Sequence, residues 1–229
     1  MGKKYAISDI HGCLKTFVAL LKRLEFSAND ELYVLGDLID RGPDSKGVMD
    51  HIMHLQDTGY AVHCIRGNHD QLMLNARHDR DDRRKWMLNG GRSLMDSFNA
   101  MDISDIPKLY FDFLDSFPYY MEVEGYILVH AGFKFALPDP FQERTAMLWQ
   151  RSWYPLINYG WLGDRTILHG HTPLTKGEIK SMHKQIDTNQ YLNIDCGCVF
   201  SGRRIGVGYL ACFCLDDKSL IFEANVDYA

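Results

Sequence analysis

The stretch Leu32-Tyr33-Val34-Leu35-Gly36-Asp37-Leu38-Ile39-Asp40-Arg41-Gly42 joins a short apolar run to an acidic turn bracketed by glycines. The run reads as a buried strand, and the glycines read as a tight turn leaving it. Two carboxylates three residues apart, followed at once by an arginine, then stand at the carboxyl end of a sheet strand. Open α/β sheets place their chemistry there. Taken alone, Asp-x-x-Asp-Arg fits a solvated turn as well as a functional site.

The flanking sequence repeats the pattern. Residues 4–8 predict a strand ending in Asp9-Ile10-His11-Gly12, and residues 15–25 carry Phe17, Leu20, Leu21 and Leu24 at helical spacing. Residues 31–36 form the second strand, and residues 43–57 predict a helix with Val48, Ile52 and Leu55 on one face. A third strand at 60–66 runs into Gly67-Asn68-His69-Asp70. Three successive βα units predict parallel pairing with right-handed crossovers. Each of these strands ends in a motif built on Asp, His or Asn.

The middle of the chain is more helical, with helices expected at 71–76 and 106–116. The dense mixed-charge run at 77–85 reads as a solvated face, and Asn89-Gly90-Gly91 reads as a helix stop. After Pro118 the pattern changes to strands at 120–124, 126–129, 165–168, 191–194, 206–215 and 219–224. They predict a second, mainly antiparallel sheet within a single domain covering 1–229.

Composition narrows the function classes. A net charge of −5 gives no general attraction to nucleic acid or to an anionic membrane. No stretch has the length of a membrane span or the form of a secretory signal, so the expected location is cytoplasmic. Six cysteines include the pairs Cys196/Cys198 and Cys212/Cys214. Their spacing is tighter than structural zinc sites use, and both pairs read as reduced, buried strand residues sharing a face.

The strand-end residues Asp9, His11, Asp37, Asn68, His130 and His171 make a set of carboxylate, amide and imidazole donors. Such donors suit Mn, Fe or Zn. Six exceed one site but fit two ions sharing a bridging carboxylate, roughly 3.5–4 Å apart. A lone strand histidine is more often a hydrogen-bonded core residue; six such donors after successive strands form a pattern.

Asp9-x-His11, Gly36-Asp37-x-x-Asp40-Arg41-Gly42 and Gly67-Asn68-His69-Asp70 resemble the three signature blocks of the metallophosphoesterases. The likeness is to the phosphoprotein phosphatase branch, in particular the lambda-phage and bacterial serine/threonine phosphatases, with the diadenosine tetraphosphatases as close relatives. It continues through Trp86-Met87-Leu88-Asn89-Gly90-Gly91, Val129-His130-Ala131, Leu148-Trp149-Gln150-Arg151, Gly170-His171-Thr172-Pro173 and Ile194-Asp195. The resemblance implies an α/β fold, a calcineurin-like sandwich of two mixed sheets flanked by helices, with a dimetal site at the strand ends. It implies that Asp9 and His11 hold one metal, Asp37 bridges, and Asn68, His130 and His171 complete the second. Arg41 and Arg151 would grip the phosphate, and His69 would be the general acid, held by Asp40. The cofactors would be two divalent ions, Mn first with Fe or Zn as alternatives. Attack would come directly from a metal-bridging hydroxide, without a phosphoenzyme.

Some positions depart from the family pattern or carry no assigned role. Asp70 stands where the family more often has Glu, His169 reads as a core or pocket-rim residue, and Asp195 as either a histidine-orienting group or a strand-end cap. The Gly-His-x-His of the nuclease branch is absent, as is a basic stripe, which excludes a nucleic-acid substrate. The leading expectation is a phosphatase acting on phosphoserine, phosphothreonine or phosphotyrosine in proteins. The alternative is a symmetrical dinucleoside polyphosphate hydrolase, and the lesser alternative a non-catalytic phosphoprotein-binding module that would lack a ligand or the acid. Phe133, Phe135, Trp149, Trp153, Tyr154 and Trp161 read either as an adenine-stacking set or as core and peptide-contact surface.

Overall fold

The computed structural model describes residues 2–228. Strands β1 (Lys4–Ile7), β2 (Glu31–Val34) and β3 (Ala61–Cys64) pair in parallel, with Ile7 opposite Val34 and Val34 opposite Cys64. Each is followed by a helix: α1 (Leu14–Arg23), α2 (Ser45–Asp57) and α3 (Asn68–Ala76). α1 forms because Phe17, Leu20 and Leu21 fall on one face and are buried there. Next come α4 (Arg80–Trp86), α5 (Arg92–Ser97) and α6 (Lys108–Asp115), then β4 (Tyr120–Val123), β5 (Tyr126–Val129), α7 (Arg144–Trp149), β6 (Thr166–His169), β7 (Tyr191–Asn193), β8 (Tyr209–Cys214) and β9 (Leu220–Ala224).

The strands form two mixed sheets, ordered β3-β2-β1-β8-β9 and β4-β5-β6-β7. Side-chain alternation in the first sheet explains the layering. Tyr5, Ile7, Leu32 and Val34 face the helices, while Ala6 and Tyr33 face the second sheet, meeting Leu128, Leu168 and Leu192. Ile127, Val129 and Ile167 cover the second sheet's other face with Phe133, Met147 and Trp153. Both sheets are thus covered on both faces, which is why β1, β2 and β5 read as near-continuous apolar runs.

Two expectations are corrected. The second sheet is not mainly antiparallel: only β4–β5 is, while β5–β6 and β6–β7 are parallel. The long stretches after β5 and β6 supply the crossovers that parallel pairing needs. The β8–β9 hairpin joins the first sheet instead, with β8 antiparallel to β1; strand periodicity carries no information about which edge a hairpin will find. The Asn89-Gly90-Gly91 stop is as expected: Gly90 takes φ 115°, outside helical geometry, and a separate helix, α5, begins beyond it. Finally, Cys212 and Cys214 share the helix-facing side of β8, but Cys196 and Cys198 lie off the strands in different core layers. All six thiols are free and buried.

The charge run 77–85 builds α4. Asp79 accepts from the N–H groups of Asp81 and Asp82 at its start, and Arg83, Arg84 and Lys85 lie near its end, where cations favour the helix dipole. α1 is capped from a distance. Its own Cys13 makes no side-chain cap, and Asp227 accepts from the N–H groups of Lys15 and Thr16 at 3.0 and 2.9 Å. The Asp227→Ala variant is therefore expected to lose about 1–2 kcal/mol of unfolding free energy, measured by urea denaturation.

Candidate active site

The parallel register places the ends of β1 and β2 side by side, and backbone pairing continues past them. The N–H groups of His11 and Gly12 donate to the carbonyls of Asp37 and Leu38, each at 2.9 Å. Keeping two turning loops paired forces the left-handed region on Asp9 (φ 51°), His11 (46°), Asp37 (52°), Asp40 (70°) and Arg41 (68°). His171, at the end of β6, is also left-handed (φ 70°). A non-glycine residue there costs on the order of 1–3 kcal/mol, and such strain gathers at functional sites. Close approach dictates the glycines between them. A Cβ on Gly67 would lie 2.1 Å from the Asp37 nitrogen, and one on Gly42 would lie 1.9 Å from the His11 carbonyl oxygen.

Asp37 stands at the centre. Its Oδ2 lies 3.5 Å from His11 Nε2 and 3.5 Å from His130 Nε2, while Oδ1 accepts from the His69 N–H at 2.9 Å. Two compact groups of donor atoms share this carboxylate: His11, Asp37 and His69, and Asp37, His130 and His171. Asn68 Oδ1 lies 2.9 Å from His130 Nε2 and 2.8 Å from His171 Nδ1, bringing the amide into the second group. Asp9 is buried beside them, but its carboxylate is turned to the His171 N–H at 3.1 Å and to the Ser8 hydroxyl. The first compact group therefore contains His69 where the sequence reading had Asp9.

The donor chemistry fits divalent cations. The carbonyls of Ile39 and Leu35 lie 2.7 and 2.8 Å from the Nδ1 atoms of His11 and His130. Each neutral ring then keeps its proton on Nδ1 and presents a lone pair at Nε2. The His130 Nε2 then faces two oxygens, Asp37 Oδ2 at 3.5 Å and Asn68 Oδ1 at 2.9 Å, a cluster of acceptors that a cation between them would join. The lone pair of His11 meets a cation already, the Arg41 guanidinium at 2.7 Å. His171 Nε2 is buried with no hydrogen-bond partner. Burial, with Asp9 and Asp70 adding like charge, pushes the Asp37 carboxyl well above its ordinary range. Burial also holds His11 well below its usual value, and burial reinforced by His130 and Arg151 takes His171 down to about 2.

A buried frame holds these donors. The Asp70 carboxylate accepts from the N–H groups of Gly67, Asp37 and Leu38 at 2.8, 3.0 and 3.2 Å, tying the loop after β2 to the start of α3. Asp40 Oδ2 lies 2.8 Å from His69 Nδ1, and its backbone N–H donates to Ser45 Oγ at 2.9 Å. Trp86 was assigned no role from the sequence, yet its indole N–H reaches both Asp40 oxygens at 3.0 Å. The break after α4 supports the contact: Gly91 packs on the Trp86 ring, and the Gly90 carbonyl accepts the Arg41 N–H at 3.2 Å. The only signal in the sequence was the Trp86-to-Gly91 block itself. Burial, opposed by Trp86 and Arg41, pushes Asp40 up to about 8.

Arg41 and Arg151 both line a cavity of about 190 Å³ together with Asp37, Asn68, Asn89, Trp149, His171, Pro173 and Phe200. Arg151 donates to Thr172 Oγ1 at 3.0 Å, which draws a residue beyond α7 to the histidine loop after β6. His169 pairs with the Tyr154 hydroxyl at 2.9 Å and lines a neighbouring cleft, the rim position. Among the described residues Asp195 makes no hydrogen bond to a histidine; it accepts the Gly197 N–H at 2.8 Å, as a strand-end cap does. Of the six aromatics, Phe133, Phe135 and Trp153 are core, with Trp161 packed on them; Trp149 lines the 190 Å³ cavity and Tyr154 the cleft.

Comparison with known proteins follows this geometry. A family model described as calcineurin-like phosphoesterase matches residues 3–202. Serine/threonine-protein phosphatase 1 of Salmonella typhimurium is 30% identical over 211 residues, covering 87% of this chain and 88% of that protein. A symmetrical bis(5'-nucleosyl)-tetraphosphatase of Pseudomonas entomophila is 33% identical over 131 residues, covering 56% of this chain and 42% of its own length, so the chain spans less than half of that relative. Among solved structures, a metallophosphoesterase from Sphaerobacter thermophilus superposes with a TM-score of 0.59 at 18% identity over 97% of this chain and 87% of that one, a likeness of fold alone.

Removing the shared charge tests the donor reading directly. Asp37→Asn is expected to weaken Mn²⁺ binding by tenfold or more (about 1.4 kcal/mol per tenfold), read by isothermal titration calorimetry on metal-stripped protein.

Proposed function

This chain belongs to the calcineurin-like phosphoesterase family, and from that premise we propose that it is a protein serine/threonine phosphatase. As a member of the family it is a metal-dependent phosphoric ester hydrolase. Mn²⁺ is the proposed pair of ions, and Asp9, His11, Asp37, Asn68, His130 and His171 are the proposed ligands, with Asp37 between the two.

The observation that carries the substrate reading is the catalytic cavity. At about 190 Å³, with Arg41 and Arg151 in its wall, it suits one phosphate ester; pockets that enclose a drug-sized ligand run from about 300 Å³ upward. The full-length likeness to a serine/threonine phosphatase supports the same reading.

The bound ions would supply an activated water and neutralise charge on the phosphoryl oxygens. The two guanidinium forks hold those oxygens in bidentate fashion and orient the ester for in-line displacement. His69 gives its proton to the departing serine or threonine oxygen. Asp40, its carboxyl pushed up to about 8, holds His69 Nδ1 and leaves the proton to be given on the other ring nitrogen, and Trp86 and Ser45 keep Asp40 in place. All the donor and acid positions are filled, which speaks against a non-catalytic binding module.

One observation favours a second reading, hydrolysis of dinucleoside polyphosphates. A cleft of about 410 Å³ shares Arg151 with the catalytic cavity and has room for a nucleoside. Its rings are already engaged, however: Trp153 is buried, and Tyr154 stacks on Tyr191 at 4.1 Å. Stacking an adenine there would require displacing one of these contacts.

The deciding experiment strips the protein, reloads it with Mn²⁺, and compares kcat/KM for p-nitrophenyl phosphate, a phosphothreonine peptide and diadenosine tetraphosphate. The peptide is expected to exceed the dinucleotide; the reverse order would move the assignment to the second reading. In the same assay His69→Asn is expected to lower kcat by about 10² or more, the usual scale for a general acid. An unchanged kcat would remove His69 from that role.

A further inference from the structure

Two more arginines stand beside the catalytic cavity, outside the phosphate clamp. Arg203 and Arg204 are exposed in the loop that leads from the short helical turn Cys198–Phe200 to β8. With Pro173, Phe200 and Val207 they line a cavity of about 330 Å³. Pro173 and Phe200 also line the catalytic cavity, so the two spaces share a wall. The Arg41 guanidinium lies over the Phe200 ring, 5.6 Å from its centroid. Phe200 therefore connects the phosphate clamp to the outer pair of arginines.

The loop is held at several points. The Arg203 N–H donates to the Phe200 carbonyl at 3.0 Å, the Lys176 N–H donates to the Gly206 carbonyl at 2.8 Å, and the Gly208 N–H donates to the Cys196 carbonyl at 3.0 Å. Gly206 and Gly208 take φ values of 86° and 92°, which allow the chain to fold back on itself. Arg204 Nη1 reaches the Pro173 carbonyl at 3.3 Å, beside the loop that carries His171. A loop anchored this way presents its side chains with little ordering left to do on binding.

The charges of these arginines are unclaimed. Among the described residues neither Arg203 nor Arg204 forms an ion pair with a carboxylate. Glu178, whose carboxyl responds to Arg204, is committed to the Thr175 hydroxyl and N–H, each at 2.7 Å. In a chain of net charge −5, two unpaired guanidinium groups at the mouth of a phosphate-binding cavity are a local reversal of sign.

We infer that Arg203 and Arg204 form a second anion subsite, selecting substrates with another carboxylate or phosphate close to the scissile phosphate. This rests on the phosphatase reading and names its substrate class: phosphoproteins with acidic or multiply phosphorylated sequence around the target residue. The planar fork of each arginine suits either oxyanion. Phe200 and Val207 provide an apolar floor for the stem of the side chain that bears it.

The test uses the Mn²⁺-loaded full chain and three phosphothreonine peptides. One is flanked by alanines, one by aspartates, and one by a non-hydrolysable phosphonate. Wild-type kcat/KM is expected to favour the acidic peptides over the neutral one by about tenfold, the scale that two rim charge pairs supply. The preference should collapse toward unity in Arg203→Gln/Arg204→Gln and invert in Arg203→Glu/Arg204→Glu. It should also fade at about 1 M salt, where the screening length is roughly 3 Å. Preference for both acidic peptides would assign a general oxyanion subsite; preference for the phosphonate peptide alone would assign a phosphate subsite. Equal rates on all three wild-type reactions, or an unchanged preference in the glutamine variant, would overturn the proposal. Turnover of p-nitrophenyl phosphate with none of the peptides would overturn the phosphoprotein reading and, with it, this ligand assignment. Thermal melts of both variants exclude loss of fold as the cause of any change.

Discussion

A carboxylate buried between two imidazole nitrogens is the constraint around which this structure is arranged. Asp37 is almost wholly buried, and Asp9, Asp70 and Asp195 are buried around it. Burial drives the carboxyl groups of both Asp37 and Asp195 upward, and Asp9 adds to the effect at each. Bringing several acids into a low-dielectric interior is expensive unless positive charge joins them. The neighbouring histidines do not provide it: burial keeps His11, His69 and His171 below their usual values. The imidazoles consequently present free lone pairs, and a cation joining them would draw the protons off the raised carboxyls, since both groups ligate metal in their deprotonated forms.

Holding such a set requires a rigid surround. Asp9, His11, Asp37, Asp40, Arg41 and His171 all occupy left-handed backbone. At on the order of 1–3 kcal/mol each, their combined strain rivals the net stability of about 5–15 kcal/mol typical of a domain. The parallel strands beneath them, covered on both faces, offset that strain through burial of apolar side chains. Buried hydrogen bonds then remove the remaining freedom. Asp70 grips three backbone N–H groups, and Trp86 grips Asp40, so the geometry at the strand ends is set by groups that never enter the cavity.

Outside this frame the molecule is built differently. Asp37, Arg41 and Asn68 of the βα units line the cavity, and Trp149 of α7, Arg151, the loop after β6 and Phe200 before β8 complete its walls from later in the chain. Arg151 reaches the site through Thr172, and Phe200 does so through the short helical turn that follows Asp195. The strand ends thus supply most of the candidate donors, and the later connections close the space around them.

Much of this could be read without coordinates. Apolar runs of four or five residues, each followed by Asp, His or Asn and then a helical stripe, determined the three parallel βα units. They also placed Asp9, His11, Asp37 and Asn68 at strand ends, because strand and helix periodicities are local properties of sequence. His130 and His171 were legible for the same reason. Tertiary structure alone decided which edge the β8–β9 hairpin joins, since hydrogen bonding along a strand edge carries no side-chain signature. It also decided what the helix stop at Asn89-Gly90-Gly91 meets: the Gly90 carbonyl accepts the Arg41 N–H, and the Trp86 indole before it reaches Asp40. The turn of the Asp9 carboxylate toward the His171 N–H was equally out of reach, because it depends on two loops separated by 162 positions meeting in space. Local pattern determined the elements and the kinds of donor; long-range packing decided which donors face one another.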